Sequence, residues 1–351
     1  MASANKVAYH REKLESYLNG NRIYPATLEL DIGTECNRSC PLCPSTTSPT
    51  HSFLGIKFIE RLLGLLAGET RGLLLSGGEP TMAANFPETL RIARENDFLE
   101  IAVVTNGGFL GVEKVADALI SHASTIRVSL YDWSKESPRL TDMTLKRIEG
   151  LRKRIDREGS KLEIGISALT RAENVTTVGD IARRVASAGA HWIYFHPMCI
   201  RWDLGKPERV DQTGVLEKIS ACQHELKGEV GVFTFPDRYM EREISFEQYH
   251  AAHFLLVVGA DGKNYLGAEV KYQPQHVIAD LGGEWDDDFL WREARMNRIR
   301  NVTSRTYPAI GSRHRGILYC SMIQGLFEQG VRSLEGFDLS VEESHAFPHV
   351  L

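Results

Sequence analysis

Between residues 26 and about 197, short apolar runs alternate with helix-length amphipathic stretches. The apolar runs at 27–32, 72–75, 100–105, 125–130, 162–169 and 191–196 have strand length. The intervening segments 57–67, 86–96, 112–121, 144–158 and 178–188 repeat apolar positions at helical spacing. Six strands, each followed by a helix, predict an α/β fold with a parallel sheet, either a partial barrel or an open doubly wound sheet. Ala188-Gly189-Ala190 supplies a helix stop before the sixth strand. After about residue 205 the alternation is expected to stop. There the apolar run 254–258, the turn Ala260-Asp261-Gly262-Lys263 and the segment 264–266 predict a β-hairpin. The pattern divides the chain into a helical lead-in at 1–25, a β/α core at 26–205 and a smaller α+β extension at 206–351.

Composition narrows the class. Of 351 residues, 42% are hydrophobic and 25% charged, the balance of an ordinary globular protein. Forty-one basic and 46 acidic residues give a formal charge of −5, which argues against a general nucleic-acid or anionic-membrane binder. The basic stretch 146–161 carries Glu149, Asp156 and Glu158 at helical spacing, so it reads as a solvated helix face. The N-terminal residues mix charge with no apolar segment of signal-peptide type, and no run approaches the ~20 apolar residues of a membrane span. A cytoplasmic protein is expected, in which clustered thiols bind metal or do chemistry.

Six cysteines are too few for a disulfide scaffold, but three of them fall at Cys36, Cys40 and Cys43. They lie just after the first predicted strand, on a segment made a loop by Asn37, Pro41 and Pro44. Three thiolates on one loop can converge on a single centre. Zinc sites ordinarily take four ligands from paired Cys-x2-Cys units, and the chain has no second pair. Iron–sulfur clusters are held by thiolates, ordinarily four; three would leave one iron open for chemistry.

The Cys-x3-Cys-x2-Cys spacing after the first strand of a β/α domain resembles the signature of radical S-adenosylmethionine enzymes. That resemblance implies a partial (β/α)6 TIM-like barrel, with a [4Fe-4S] cluster on Cys36, Cys40 and Cys43 whose fourth iron is chelated by S-adenosylmethionine. It also implies reductive cleavage to a 5′-deoxyadenosyl radical that abstracts hydrogen from substrate. Ser76-Gly77-Gly78-Glu79-Pro80 at the end of the second strand is similar to the family's GGEP motif. Gly77 and Gly78 would let backbone approach the cofactor, and Glu79 would accept from its ammonium group. Thr105-Asn106-Gly107 ends the third strand and Ser129 the fourth, both where the family contacts S-adenosylmethionine; Asp132 is the carboxylate near Ser129. Leu169 and Asn174 match the positions of an adenine-stacking apolar residue and a polar partner. His196, ending the sixth strand, is a candidate catalytic or substrate contact, and Arg201, Trp202 and Asp203 follow it.

The hairpin near 254–267 is similar to the family's SPASM or twitch extensions, without the cysteine that follows it there. Cys199, Cys222 and Cys320 are scattered and cannot supply a four-thiolate second cluster. Cys320 reads either as a buried small hydrophobe or as a thiol that returns hydrogen to a substrate radical. The resemblance implies an electron donor such as flavodoxin or ferredoxin and a small polar substrate: a sugar, aminocyclitol or nucleoside precursor of a natural product. The resulting reaction would be dehydrogenation, decarboxylation, elimination or epimerisation. The competing readings are a peptide- or protein-modifying maturase and a non-catalytic iron–sulfur or zinc-binding regulator.

Overall fold

The computed structural model describes residues 6–40, 43, 53–131, 138–197, 212–239, 244–283, 285–286, 288–307, 315–336, 347 and 349–351. After α1 (Arg11–Leu18), six strand–helix steps follow the expected alternation. The strands are β1 (Thr27–Gly33), β2 (Gly72–Gly77), β3 (Glu100–Thr105), β4 (Thr125–Ser129), β5 (Glu163–Thr170) and β6 (Trp192–Pro197). The helices between them are α2 (Ile56–Leu66), α3 (Phe86–Glu95), α4 (Glu113–His122), α5 (Pro138–Glu158) and α6 (Val178–Ser187). Neighbouring strands from β1 to β6 all pair in parallel.

The alternation runs one step beyond the expected end. Helix α7 (Gln212–Glu225) leads to β7 (Gly231–Thr234), which pairs in parallel with β6. A four-residue strand of sequence GVFT has too few positions for its period to stand out from a loop. The extension then continues the sheet at its other edge. Strand β8 (Leu255–Val258) pairs in parallel with β1, and β9 (Lys263–Tyr265) and β10 (Val277–Asp280) follow in antiparallel, the first pair forming the expected hairpin. Among the described residues the order is β10-β9-β8-β1-β2-β3-β4-β5-β6-β7. Helices α8 (Glu293–Arg300) and α9 (Arg315–Glu328) complete the extension. No helix among the described residues is long and apolar enough to cross a membrane.

Two-residue alternation sorts the strand side chains. Leu28, Leu30, Ile32, Leu73, Leu75, Ile101, Val103, Ile126, Val128, Ile164 and Ile166 pack with the helices in one buried cluster. The opposite face carries Glu29, Asp31, Ser76, Arg127, Ser167, Tyr194 and His196, so the barrel is dry outside its strands and polar within. A second apolar cluster joins α1, the residues before β8 and α9 through Leu14, Phe254, Tyr319 and Ile323. The exposed face of α5 is laced with Lys153–Glu149, Arg152–Asp156 and Arg154–Glu158 pairs, a solvated surface as its spacing predicts.

One buried network ties the extension to the barrel. The Lys271 ammonium donates to Asp31 Oδ1 at 2.7 Å and Glu29 Oε1 at 2.9 Å. The Tyr272 hydroxyl donates to Asp31 Oδ2 at 2.7 Å, Ser76 Oγ donates to Asp31 Oδ1 at 2.5 Å, and Arg315 reaches Glu29 Oε2. Burial alone would push the Glu29 carboxyl upward, but the Lys271 and Arg315 cations outweigh it and hold it down at about 2. At the N-terminal mouth, Thr27 Oγ1 donates to His349 O at 2.5 Å, and the His349 and Val350 amides donate to Glu100 at 2.6 and 3.1 Å. Gly72 admits that segment, since a Cβ there would lie 1.8 Å from His349 O.

Removing Lys271 leaves Asp31 buried without its cation and Glu29 with Arg315 alone. Lys271→Met is therefore expected to lower the free energy of urea unfolding by about 3–5 kcal/mol. Adding Glu29→Gln or Asp31→Asn should recover part of that loss; a Lys271→Met protein as stable as the wild type would contradict the role assigned to the network.

Candidate active site

The loop after β1 is built on two glycines at the end of β2, Gly77 within the strand and Gly78 just beyond it. Gly77 has φ +119°, and a Cβ there would meet Gly33 O at 2.2 Å. A Cβ on Gly78 would meet Glu35 O at 2.2 Å and Thr34 O at 2.4 Å. The Gly78 and Glu79 amides donate to Gly33 O at 2.9 Å and Glu35 O at 2.8 Å. The close backbone approach that the glycines permit is thus made by the chain's own cysteine loop.

Glu79 is buried and committed to the protein. Its Oε1 accepts from Thr81 N at 3.2 Å, Thr81 Oγ1 and Thr105 Oγ1 at 2.7 Å, and its Oε2 accepts from Asn106 N at 2.6 Å. The carboxylate thereby joins the ends of β2 and β3. Asn106 carries the connection onward: its Nδ2 donates to Asn37 Oδ1 at 2.7 Å and lies 3.7 Å from Cys36 Sγ, while its Oδ1 accepts from Gly108 N at 2.8 Å. Gly107, at φ +75°, lets the chain turn immediately behind it. Thr105-Asn106-Gly107 is therefore a brace for the loop as well as a turn.

Cys36 is exposed, and Cys40 and Cys43 are half-buried. The Arg38 amide points at Cys36 Sγ from 3.4 Å, and Cys43 N donates to Cys40 O at 3.3 Å. Arg38 also donates to Thr144 Oγ1 on α5 at 3.2 Å, which fastens the loop to the rim. Among the described residues no three His, Cys, Asp or Glu side chains are gathered at one metal-binding point, the loop thiols included.

Ser129 ends β4 opposite Ser167 of β5, and its hydroxyl has no hydrogen-bond partner among the described residues. Ser167 Oγ lies 2.8 Å from His196 Nε2, and His196 Nδ1 lies 3.2 Å from Pro197 O. A neutral ring that donates from Nδ1 and accepts at Nε2 satisfies both contacts. Burial, with Arg238 and Arg127 nearby, pushes His196 down to about 3. Leu169 is half-exposed at the end of β5, whereas Asn174 is buried and bonded to its own loop, through Leu169 O at 2.9 Å and Arg171 N at 2.8 Å.

Cys320 is not brought to this site. It is fully buried in the second apolar cluster, where its sulfur accepts from Ala251 N at 3.3 Å and burial pushes the thiol far up. Cys222 lies in the other cluster. Pro41, Leu42, Pro44, Asp132, Met198, Cys199, Arg201, Trp202 and Asp203 lie outside the described residues. Sequence reasoning missed Asp31, Asn37, Arg38, Thr105 and Arg127. Two of them carried a signal, because Glu29/Asp31 in TLELDIG and Arg127 in TIRVS put charge at alternate positions of otherwise apolar strands.

The family model described as the Radical SAM superfamily matches residues 30–161, which contain the cysteine loop, the double glycine and Asn106. Over this segment, somewhat over a third of its length, the chain is similar to the radical SAM superfamily. It is 27% identical over 184 residues to a GTP 3′,8-cyclase of Yersinia pestis, covering 50% of this chain and 53% of that protein. It is 31% identical over 83 residues to a 7,8-dihydro-6-hydroxymethylpterin dimethyltransferase of Methanocaldococcus jannaschii, covering 22% of this chain and 16% of that protein. The chain thus spans about half or less of the curated relatives it matches.

In fold, the chain is similar to Streptococcus suis SuiB solved with S-adenosylmethionine, with TM-score 0.65 at 14% identity over 84% of this chain and 72% of that one. It is also similar to anSMEcpe solved with AdoMet, with TM-score 0.58 at 13% identity over 87% and 93% of the two chains. The cofactors of the radical SAM family are a [4Fe-4S] cluster and S-adenosylmethionine, and this rim suits them. It offers three soft thiolates, amide N–H groups aimed at one sulfur and an unengaged serine hydroxyl at the mouth.

Asn106→Ala should cost about 1–3 kcal/mol in urea unfolding, because it strands the Asn37 carbonyl and the Gly108 amide. Anaerobically reconstituted Asn106→Ala protein should also retain less iron than wild type, and full iron retention would argue against the brace. His196 predicts a pH dependence. Its folded value of about 3 lies below its ordinary 6.5, so the unfolded chain takes up the proton first and stability falls as pH drops from 6.5 towards 3. Buried His250, at about 4, and His253, at about 3, add to the same slope. Urea unfolding across that range should show a shallower slope for His196→Gln.

Proposed function

We propose that this protein is a radical S-adenosylmethionine enzyme that abstracts hydrogen from a small polar metabolite. The observation that carries the reading is the three-cysteine loop, seated on Gly77 and Gly78 and braced by Glu79 and Asn106 at the C-terminal end of a parallel barrel. Sites of β/α sheets gather at that end. Cys36, Cys40 and Cys43 would hold the cluster, while Ser129, Asn106 and Leu169 would line the place of S-adenosylmethionine. A [4Fe-4S] cluster held by these thiolates would supply the reducing electron for homolytic, hydrogen-abstracting chemistry on S-adenosylmethionine. The electron comes from a donor of flavodoxin or ferredoxin type.

The chain's own residues define what lies beneath. Ser167, Tyr194 and His196 present hydrogen-bonding groups on the inner faces of β5 and β6, and Tyr194 stacks on His196 with ring centroids 5.1 Å apart. Those groups support a sugar, aminocyclitol or nucleoside precursor over an apolar substrate. Neutral His196 presents Nε2 as a hydrogen-bond acceptor, held in place by Ser167. Cys320, sealed behind Ala251, serves packing in this reading, with no path to the lumen assigned to it.

Anaerobic reconstitution should load about four irons per chain. Adding S-adenosylmethionine and dithionite should then release 5′-deoxyadenosine, and Cys36→Ala, Cys40→Ala and Cys43→Ala should each abolish that release. A loaded protein that never cleaves the cofactor would support a regulator instead, and turnover only on a peptide would support a maturase.

A further inference from the structure

Among the described residues, Lys271, Arg315, Arg127 and Arg238 bring positive charge to the lumen beneath the rim. Lys271 and Arg315 are matched by Glu29 and Asp31, whose four oxygens are occupied by Lys271, Arg315, Tyr272 and Ser76. Two further guanidinium groups stand in the same space. Arg127 projects from the inner face of β4, level with Gly165 of β5, whose missing side chain is replaced by the Trp192 indole, 1.9 Å from where a Cβ would lie. Arg238 lies over the Tyr194 ring, with its Cζ 5.8 Å from the centroid.

Arg127 makes no hydrogen bond with any described residue. It feels Tyr131 and, more weakly, Glu29 electrostatically, and both oxygens of that carboxylate are already taken. The next acid on β5, Glu163, sits one layer nearer the N-terminal mouth and is bonded to the Trp192 indole. Arginine does not deprotonate in proteins, so the charge of Arg127 persists and calls for an anion. A second donor is unsatisfied nearby. The Tyr319 hydroxyl is fully buried without a hydrogen-bond partner among the described residues, one helical turn beyond Arg315 on α9 and within the electrostatic reach of Arg315 and Arg238.

We propose that the barrel lumen binds an anionic group of the substrate, a carboxylate or a phosphate, on the Arg127 guanidinium, with Arg238 completing the positive field and Tyr319 able to donate. A planar guanidinium matches either oxyanion with two parallel hydrogen bonds. Arg127 lies two residues deeper on β4 than Ser129, so the anion sits below the mouth and holds the rest of the substrate up towards the cysteine loop. The assignment narrows the substrate class from polar to anionic and disfavours a cationic aminocyclitol. It rests on the proposed radical activity only for why a substrate is held there.

The test is isothermal titration of the reconstituted full chain, saturated with S-adenosylmethionine, using pyrophosphate and malonate as probes at low ionic strength. Binding of either supports the proposal; tighter pyrophosphate assigns a phosphoester and tighter malonate a carboxylate. Arg127→Met should weaken the better probe by about tenfold or more, the scale of a lost charge-assisted hydrogen bond, and Arg127→Lys should restore part of it. No binding of either probe overturns the proposal, as does wild-type affinity in Arg127→Met. Competition between probe and S-adenosylmethionine also overturns it, since Arg127 would then serve the cofactor. Release of 5′-deoxyadenosine by the wild type, measured in parallel, keeps the two readings apart. Cleavage without anion binding defeats this inference alone, and anion binding through Arg127 without cleavage defeats the radical reading alone.

Discussion

The rest of the structure depends on a lysine held inside a barrel by two carboxylates of its first strand. Lys271 comes from the extension, and Glu29 and Asp31 from β1, 242 and 240 residues away. An ammonium group in that interior is tolerable only while the acids are ionised and in contact with it, and Asp31 in turn has Lys271 as its cation while Glu29 shares it with Arg315. The pairing therefore fixes how the β8–β9 hairpin sits against β1, and Tyr272 repeats the constraint at the next position. The same strand runs directly into the cysteine loop. Whatever locates β1 also locates the chemistry.

From that strand outward, the site is a chain of short contacts among neighbouring strand ends. Gly77 and Gly78 let the loop lie on β2, Glu79 joins β2 to β3, and Asn106 reaches back from β3 to Asn37 beside Cys36. Each member is small, or has its polar atoms spent on the next, so the rim stays ordered around an exposed cysteine. The division between dry outer layer and polar lumen follows from one physical fact. Alternate residues of a strand face opposite sides, so β1 can hold Leu28, Leu30 and Ile32 in the core while turning Glu29 and Asp31 inward.

Much of this was legible in the chain. The first six strands and the helices between them appear as period-two and helical patterns, because each buries one face against the other. Cys36, Cys40 and Cys43 are conspicuous because cysteine is scarce and their spacing is short. Strand β7 was not legible, since GVFT is too brief to show a period. The partners of Asn106 were not legible either. Asn-Gly reads as a turn, and only the folded rim shows its side chain bonded to the cysteine loop.

The sequence by itself determined the class of fold, the position of the thiol loop and the glycines that must accept it. All of these are local, set by residues within a few positions of one another. Tertiary structure decided which charges meet. It placed Lys271 on Asp31, left Arg127 facing the lumen without a bond to any described residue and sealed Cys320 behind Ala251. Those outcomes depend on pairing segments far apart in the chain, and no spacing along the sequence encodes which distant side chain arrives to neutralise a buried charge.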